Sequence, residues 1–297
     1  MIPKKKFQQQ SKEFWANIRI ISQQVGYTQK RQRSSAKRSS HLELELQSEI
    51  KIPTSTEIVT AFEKEELSSE HLISASGKPT PLGKLVLEYF THRAISLNES
   101  VKTFLMNKDQ ARLLYEKLHR ELRPGCPLPL NKQKGEKKAP AYFTGIVNML
   151  IESHAQGLPC DYDPRQLTTI TRAGKPFRTM ARRVDGAFPS TVDPIAIWEI
   201  KEYYYTTTFG SRVADGVYES LLDGMELEEL RGEGIEVKHY LMIDDYFTWW
   251  ECGRSYLCRI IDMLHMGYVD EVLFGREVVD RLPAIVRGWV KTAKKRK

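Results

Sequence analysis

Two short runs decide the fold of this chain: Arg182-Arg183-Val184-Asp185-Gly186-Ala187-Phe188 and, after a turn through Asp193-Pro194, Ile195-Ala196-Ile197-Trp198-Glu199-Ile200-Lys201. Both read as strands, and their proximity in the chain makes them neighbours in a hairpin. Alternation sends residues i and i+2 of a strand to the same face, so Glu199 and Lys201 project together while Ile200 points the other way. With Asp185 on the preceding strand, two carboxylates and an ammonium converge among apolar side chains. Such charges are costly to bury without a partner. Oxygen ligands suit a hard divalent cation such as Mg²⁺.

An aspartate on one strand and Glu-x-Lys on the next resembles the signature of the PD-(D/E)xK nuclease superfamily, with Val184 standing where that signature often has proline. The resemblance implies an α/β (α+β) fold, a restriction-endonuclease-like mixed β-sheet flanked by helices. It implies that Asp185 and Glu199 bind Mg²⁺, that the Ile200 carbonyl is a further ligand, and that Lys201 positions or deprotonates the attacking water. The expected reaction is phosphodiester hydrolysis in double-stranded DNA. Read as a stand-alone protein, 297 residues without a GxxxxGK[ST] motif suit a type II restriction endonuclease rather than a motor-coupled nuclease. A homodimer is then expected, and a cognate DNA methyltransferase encoded nearby would favour restriction over repair. The alternatives are a recombination or repair nuclease, such as a junction resolvase, and a nuclease-fold protein that binds DNA without cutting it.

Glu-x-Lys alone is a weak signal, because it recurs at Glu49-Ile50-Lys51, Glu136-Lys137-Lys138 and Glu236-Val237-Lys238. The first has no aspartate upstream, and the second lies in a polar lysine-rich stretch. The third follows Asp223, but Leu221 to Leu230 carries helix-forming Leu, Met and Glu rather than β-branched residues. Only Glu199 and Lys201 have the required neighbourhood.

Around the hairpin, Tyr142–His154 has helical apolar spacing, Leu167–Arg172 reads as a strand, and Ala173-Gly174-Lys175-Pro176 as a turn. Arg178–Phe188 and Ile195–Tyr205 are the motif strands. Arg212–Leu230 reads as a helix ended by Gly232 and Gly234, and Val237–Ile243 as a strand. Ser255–Met266, a strand at Val272–Phe274 and Glu277–Lys291 extend this order. Glu152, late in the first helix, is either a further metal acid or an ordinary solvated glutamate. Arg178, Arg182 and Arg183 form a basic wall beside the site. Thr207, Ser211 and Arg212, at the start of the next helix, offer hydroxyls and helix N-terminal amides for a phosphate, or simply an N-cap by Ser211.

The net charge is +7, but residues 1–40 carry ten Lys/Arg against Glu13 alone and the last seven residues carry five more, which leaves residues 41–290 at −7. Basic ends suit contact with nucleic-acid phosphates, or serve as solvated tails. Residues 1–40 read as a basic tail and 41–121 as a mostly helical region for DNA recognition or dimerisation. Residues 122–140, rich in proline, glycine and lysine, read as a linker to a catalytic domain at 141–297. Cys126, Cys160, Cys252 and Cys258 show no CxxC pairing and suit a reducing, cytoplasmic setting. No apolar run approaches membrane-spanning length, so no membrane is expected as a partner.

Overall fold

The computed structural model describes residues 1–30, 48–131, 138–205 and 211–296. They form two compact units, one of residues 4–103 with 253–262, the other of residues 1–3, 104–252 and 263–297.

The first unit is mainly helical: α1 (Lys5–Gln8), α2 (Lys12–Val25), α3 (Ser55–Glu63) and α4 (Pro81–Ile95), with a short antiparallel pair, β1 (Thr28–Lys30) and β2 (Ser48–Ile50). Local chemistry sets the helix starts. The Ser11 hydroxyl accepts the Phe14 N–H, Thr54 and Glu57 form a reciprocal capping box, and the Thr80 hydroxyl accepts the Gly83 N–H with Pro81 at the first helical position. The basic tail expected over residues 1–40 is corrected here. Phe14, Trp15, Ile18 and Ile21 are buried on one side of α2, at helical spacing, so its cations occupy the opposite face. Residues 31–40 lie outside the described residues.

The mostly helical region expected over 41–121 is interrupted near its end. A π-helical stretch at Ser96–Val101 and a turn at Lys102–Phe104 precede a fresh start at α5 (Lys108–Leu122). Asn107 and Gln110 cause it, since each side chain accepts the other's backbone N–H, at 2.9 and 3.1 Å. The units divide at this break, so α5 belongs with the sheet that follows. The segment expected as a linker, 122–140, lies inside the second unit: Ala141 N donates to Pro129 O and Asn131 N to Ala139 O.

The second unit is a mixed α/β layer structure. Its sheet has the order β3 (Asp161–Tyr162), β6 (Gly186–Phe188), β7 (Ala196–Glu202), β8 (Lys238–Asp244), β9 (Glu271–Phe274). The first three strands are antiparallel neighbours, while β7–β8 and β8–β9 are parallel. A parallel neighbour needs a crossover, supplied between β7 and β8 by α7 (Ser211–Gly232). On one face Ala196 and Trp198 share a core with α6 (Tyr142–His154) and α9 (Glu277–Arg296); on the other Ile197 packs with Leu227 and Leu230 of α7. Covered on both faces, β7 starts as an apolar run, Ala196-Ile197-Trp198, and buries its charged second half as well. The helix α8 (Arg254–His265) precedes β9.

Two expectations change. Leu167–Arg172 contributes β4 (Thr169–Arg172), which pairs with β5 (Lys175–Thr179) in a separate hairpin. Its turn residues Ala173 and Gly174 have φ of 50° and 74°, as a two-residue hairpin turn requires. The strand expected over Arg178–Phe188 therefore divides, and only Gly186–Phe188 joins the sheet. Gly186 lies across from Trp198, where a Cβ would stand 2.1 Å from the indole ring. No helix among the described residues is long and apolar enough to cross a membrane.

Candidate active site

Strand alternation places Glu199 and Lys201 of β7 on the face that α7 covers, and burial is nearly complete, with Glu199 0% and Lys201 8% exposed. Lys201 Nζ donates to Glu199 Oε2 and to Glu219 Oε2 of α7, both at 2.8 Å. Asp185, just before β6, donates its N–H to Glu199 Oε1 at 3.2 Å and accepts the Ile200 N–H on Oδ2 at 2.8 Å. The three charged residues singled out by the strand pattern thus form one hydrogen-bonded cluster.

The cluster is larger than the sequence indicated. Arg182 reaches Glu199 Oε1 at 3.0 Å, Asp223 Oδ2 at 2.6 Å and Glu219 Oε2 at 3.4 Å. Asp223 is fully buried although it sits on a helix, as its neighbours indicated. What the sequence reading missed is that this helix lies over the Glu-x-Lys face. A signal existed, since Glu219 and Asp223 are spaced i, i+4 on the helix that follows the strand. Gly216, on the same helix, permits the approach: a Cβ there would lie 3.1 Å from Lys201 Cδ.

Four acids and two cations share this space, and their ionisation reflects it. Burial, then the charge of Glu199, push Asp185 up to about 6. The same two causes push Asp223 up to about 7. Burial also acts to raise Glu199, but Lys201 and Arg182 overcome it and hold the carboxyl below its ordinary value. Burial disfavours the Lys201 ammonium, yet Glu199, Asp185 and Glu219 outweigh burial and raise its pKa. Lys201 is therefore a fixed ammonium, suited to orienting and electrostatic work rather than to accepting a proton.

A raised carboxyl pKa means the folded chain holds a proton that the unfolded chain has lost, so stability falls as pH rises from the ordinary 3.8 through about 6. Asp185→Asn removes that penalty while keeping an oxygen for the Ile200 N–H. Without divalent metal, the variant is expected to be more stable than wild type by about 2 kcal/mol at pH 7.5, with the gap closing towards pH 4. Urea unfolding at both pH values checks this, and a gain independent of pH would contradict it.

The donor set fits a divalent cation in chemistry and charge. Asp185 and Glu199 supply hard oxygens, and the two cations leave the four acids uncompensated by two charges. Among the described residues no three His, Cys, Asp or Glu side chains converge as a metal-holding group. Asp185, Glu199 and the Ile200 carbonyl are the ligands expected from the sequence resemblance.

Glu152 is not brought to this cluster. Its Oε2 accepts the Gly125 N–H at 3.0 Å, and burial with its neighbouring charge pushes the Cys126 thiol up to about 12. The acid at the sheet end of α6 is Glu202, whose Oε2 accepts the Thr144 N–H and hydroxyl at 2.9 Å each. It completes a helix start where Ala141 has no capping side chain, and burial pushes it up to about 7. Asp185, Ile200, Glu202, Thr144 and Asn148 share the lining of a cavity of about 490 Å³.

The expected basic wall is largely neutralised. Arg178 pairs with Glu226 and Glu229 at 2.9 and 2.6 Å, Arg172 pairs with Glu233, and Arg182 lies within the carboxylate cluster. Asp223, Glu226 and Glu229 follow some 40–50 residues later on α7, and Glu233 just past the end of that helix, so they escape a local charge count. Arg183 and Arg212 are exposed. Arg212 takes part through its carbonyl, which accepts the Tyr203 hydroxyl at 3.0 Å. Thr207 lies outside the described residues, and Ser211 opens α7 with its side chain outside them.

The sheet unit and its buried charge cluster coincide with a family match. The chain belongs to the family described as Domain of unknown function (DUF7687), whose model matches residues 106–289. Residues 1–100 match a second model, Domain of unknown function (DUF7690), so the two matches follow the division into compact units. No curated protein and no solved structure matches the chain.

Proposed function

We propose that this protein is a Mg²⁺-dependent DNA endonuclease with a restriction-endonuclease-like fold, acting as a homodimeric type II restriction enzyme on duplex DNA. The observation that supports this most is the joint placement of Asp185, Glu199 and Lys201. They form one hydrogen-bonded cluster, with Glu199 and Lys201 buried, where the sheet changes from antiparallel to parallel pairing. The order α6, β3, β6, β7, α7, β8 is consistent with the αβββαβ core that the resemblance implies.

Asp185, Glu199 and the Ile200 carbonyl would hold the cation. When bound, Mg²⁺ supplies charge stabilisation at the scissile phosphate and a lowered pKa for bound water. Asp185 is fixed for this by the Ile200 N–H, which leaves its second oxygen for the cation. Lys201, held charged between Glu199 and Glu219, orients water and offsets charge developing on the phosphate. One observation favours a second reading, a protein that binds DNA without cutting: Glu199 already has two cationic partners.

Incubation with plasmid, phage and four-way-junction DNA, with Mg²⁺ or with EDTA, separates these readings. Discrete fragments from duplex DNA in Mg²⁺ alone are expected. Cleavage confined to junctions would replace restriction by resolution, and binding without cleavage of any substrate would establish the second reading.

A further inference from the structure

Glu199 is saturated. Its Oε1 faces Arg182 Nη1 at 3.0 Å and the Asp185 N–H at 3.2 Å, and its Oε2 takes Lys201 Nζ at 2.8 Å and Arg182 Nη2 at 3.1 Å. A carboxylate offers about four lone-pair sites, so a cation can reach Glu199 only if one of these donors leaves. The Asp185 donor is main chain. Lys201 sits on the same strand two residues away, with its stem against Gly216, and its side chain is 10% exposed. Arg182 is different: it comes from the connection between β5 and β6, and its side chain is 23% exposed.

Arg182 also has somewhere to go. Its shortest bond in the cluster is to Asp223 Oδ2, at 2.6 Å, and Glu219 lies at 3.4 Å. The other oxygen of Asp223, Oδ1, is buried and has no hydrogen-bond partner among the described residues. A guanidinium is a planar fork that matches a carboxylate at two points. Only one point is used at Asp223 while the rest of the fork is spent on Glu199 and Glu219.

We infer that Arg182 is the resident occupant of the metal position at Glu199, and that Asp223 is the seat into which its guanidinium withdraws when a divalent cation enters. The inference rests on the proposed metal role of Asp185 and Glu199. Arg182 is then a positioning residue that sets how readily the site loads. Without metal it neutralises Glu199; with metal it stays in the cluster on Asp223 and Glu219. Arg182 therefore gates the cation rather than holding a DNA phosphate in the resting protein.

The test is isothermal titration of Mn²⁺ into the full chain as wild type, Arg182→Lys and Asp185→Asn, each checked for folding by circular dichroism. Arg182→Lys keeps the charge but cannot span Glu199 and Asp223 as a fork, so general electrostatics alone leaves affinity unchanged. Displacement of Arg182 makes the variant bind about tenfold tighter, the worth of one charge-assisted hydrogen bond. Equal or weaker binding by Arg182→Lys, with binding lost in Asp185→Asn, would overturn the role of Arg182 and leave the metal site standing. No binding by either wild type or Arg182→Lys would remove the metal reading as well. Should Arg182→Lys fail to fold, the wild type still decides. Mn²⁺ is replaced by Mg²⁺, and the Arg182 guanidinium resonance, identified by its loss in Arg182→Ala or in Arg182→Gln, must shift on loading; an unmoved resonance overturns the inference.

Discussion

DNA cleavage by Lys201→Met is expected to be about a thousandfold slower than by wild type at saturating Mg²⁺, with DNA affinity changed by less than about threefold. Methionine keeps most of the stem that packs against Gly216 and removes only the ammonium, which lies 2.8 Å from both Glu199 and Glu219. Because Arg182 still neutralises Glu199, the fold survives the change. The loss then falls on the turnover number, since a charge that steadies the reacting phosphate acts chiefly in the transition state. Single-turnover cleavage of a plasmid measures it. A Lys201→Met protein that cuts at near wild-type rates would move the chemistry away from β7.

A large effect on stability is expected in the helical unit, at Arg93 of α4. This arginine is fully buried, pairs with both carboxylate oxygens of Asp262 at 3.0 Å, and contacts the Ser22 hydroxyl at 3.3 Å. Tyr89 donates to the same carboxylate at 2.5 Å, and the guanidinium lies 4.8 Å from the Phe90 ring centroid. Arg93→Met strips Asp262 of its counter-charge and is expected to cost about 3–5 kcal/mol. Pairing it with Asp262→Leu should recover most of that loss, because removing both charges leaves no uncompensated ion. Urea midpoints of the two single variants and the double variant check both statements. Additive losses in the double variant would show that the ion pair itself is not the source.

The legible parts of the fold were those where one element carries its own pattern. The crossover helix and the strands at Val237–Ile243 and Val272–Phe274 were found because their periodicity is continuous. By contrast β3 is two residues long, too short for any period, and the β4–β5 hairpin takes Arg178 and Thr179 from the run Arg178–Phe188, so that run is not one strand. The helix α2 was hidden by the charge of its surroundings. At the site, Asp185, Glu199 and Lys201 could be read because strand alternation fixes their faces. Arg182, Glu219 and Asp223 could not be read as partners, since pairing a loop residue with a helix residue 37–41 positions later needs the packed structure. Glu152 was left between two roles for a related reason: the turn of a helix selects a face, but not which neighbour occupies it.

The helical unit takes residues 253–262 from the far side of the sheet unit's sequence, and Asp262 follows Arg93 by 169 positions. At a synthesis rate of about 5–20 residues per second, the arginine leaves the ribosome roughly 10–30 s before its carboxylate exists. During that interval Arg93 has only the Ser22 hydroxyl and the aromatic rings of its own segment to turn to, and no counter-charge from Asp262. The first unit to be translated is thus the one that waits, and most of the sheet emerges while it does. Maturation of this protein is ordered by the late arrival of one short segment, not by the position of its first helices.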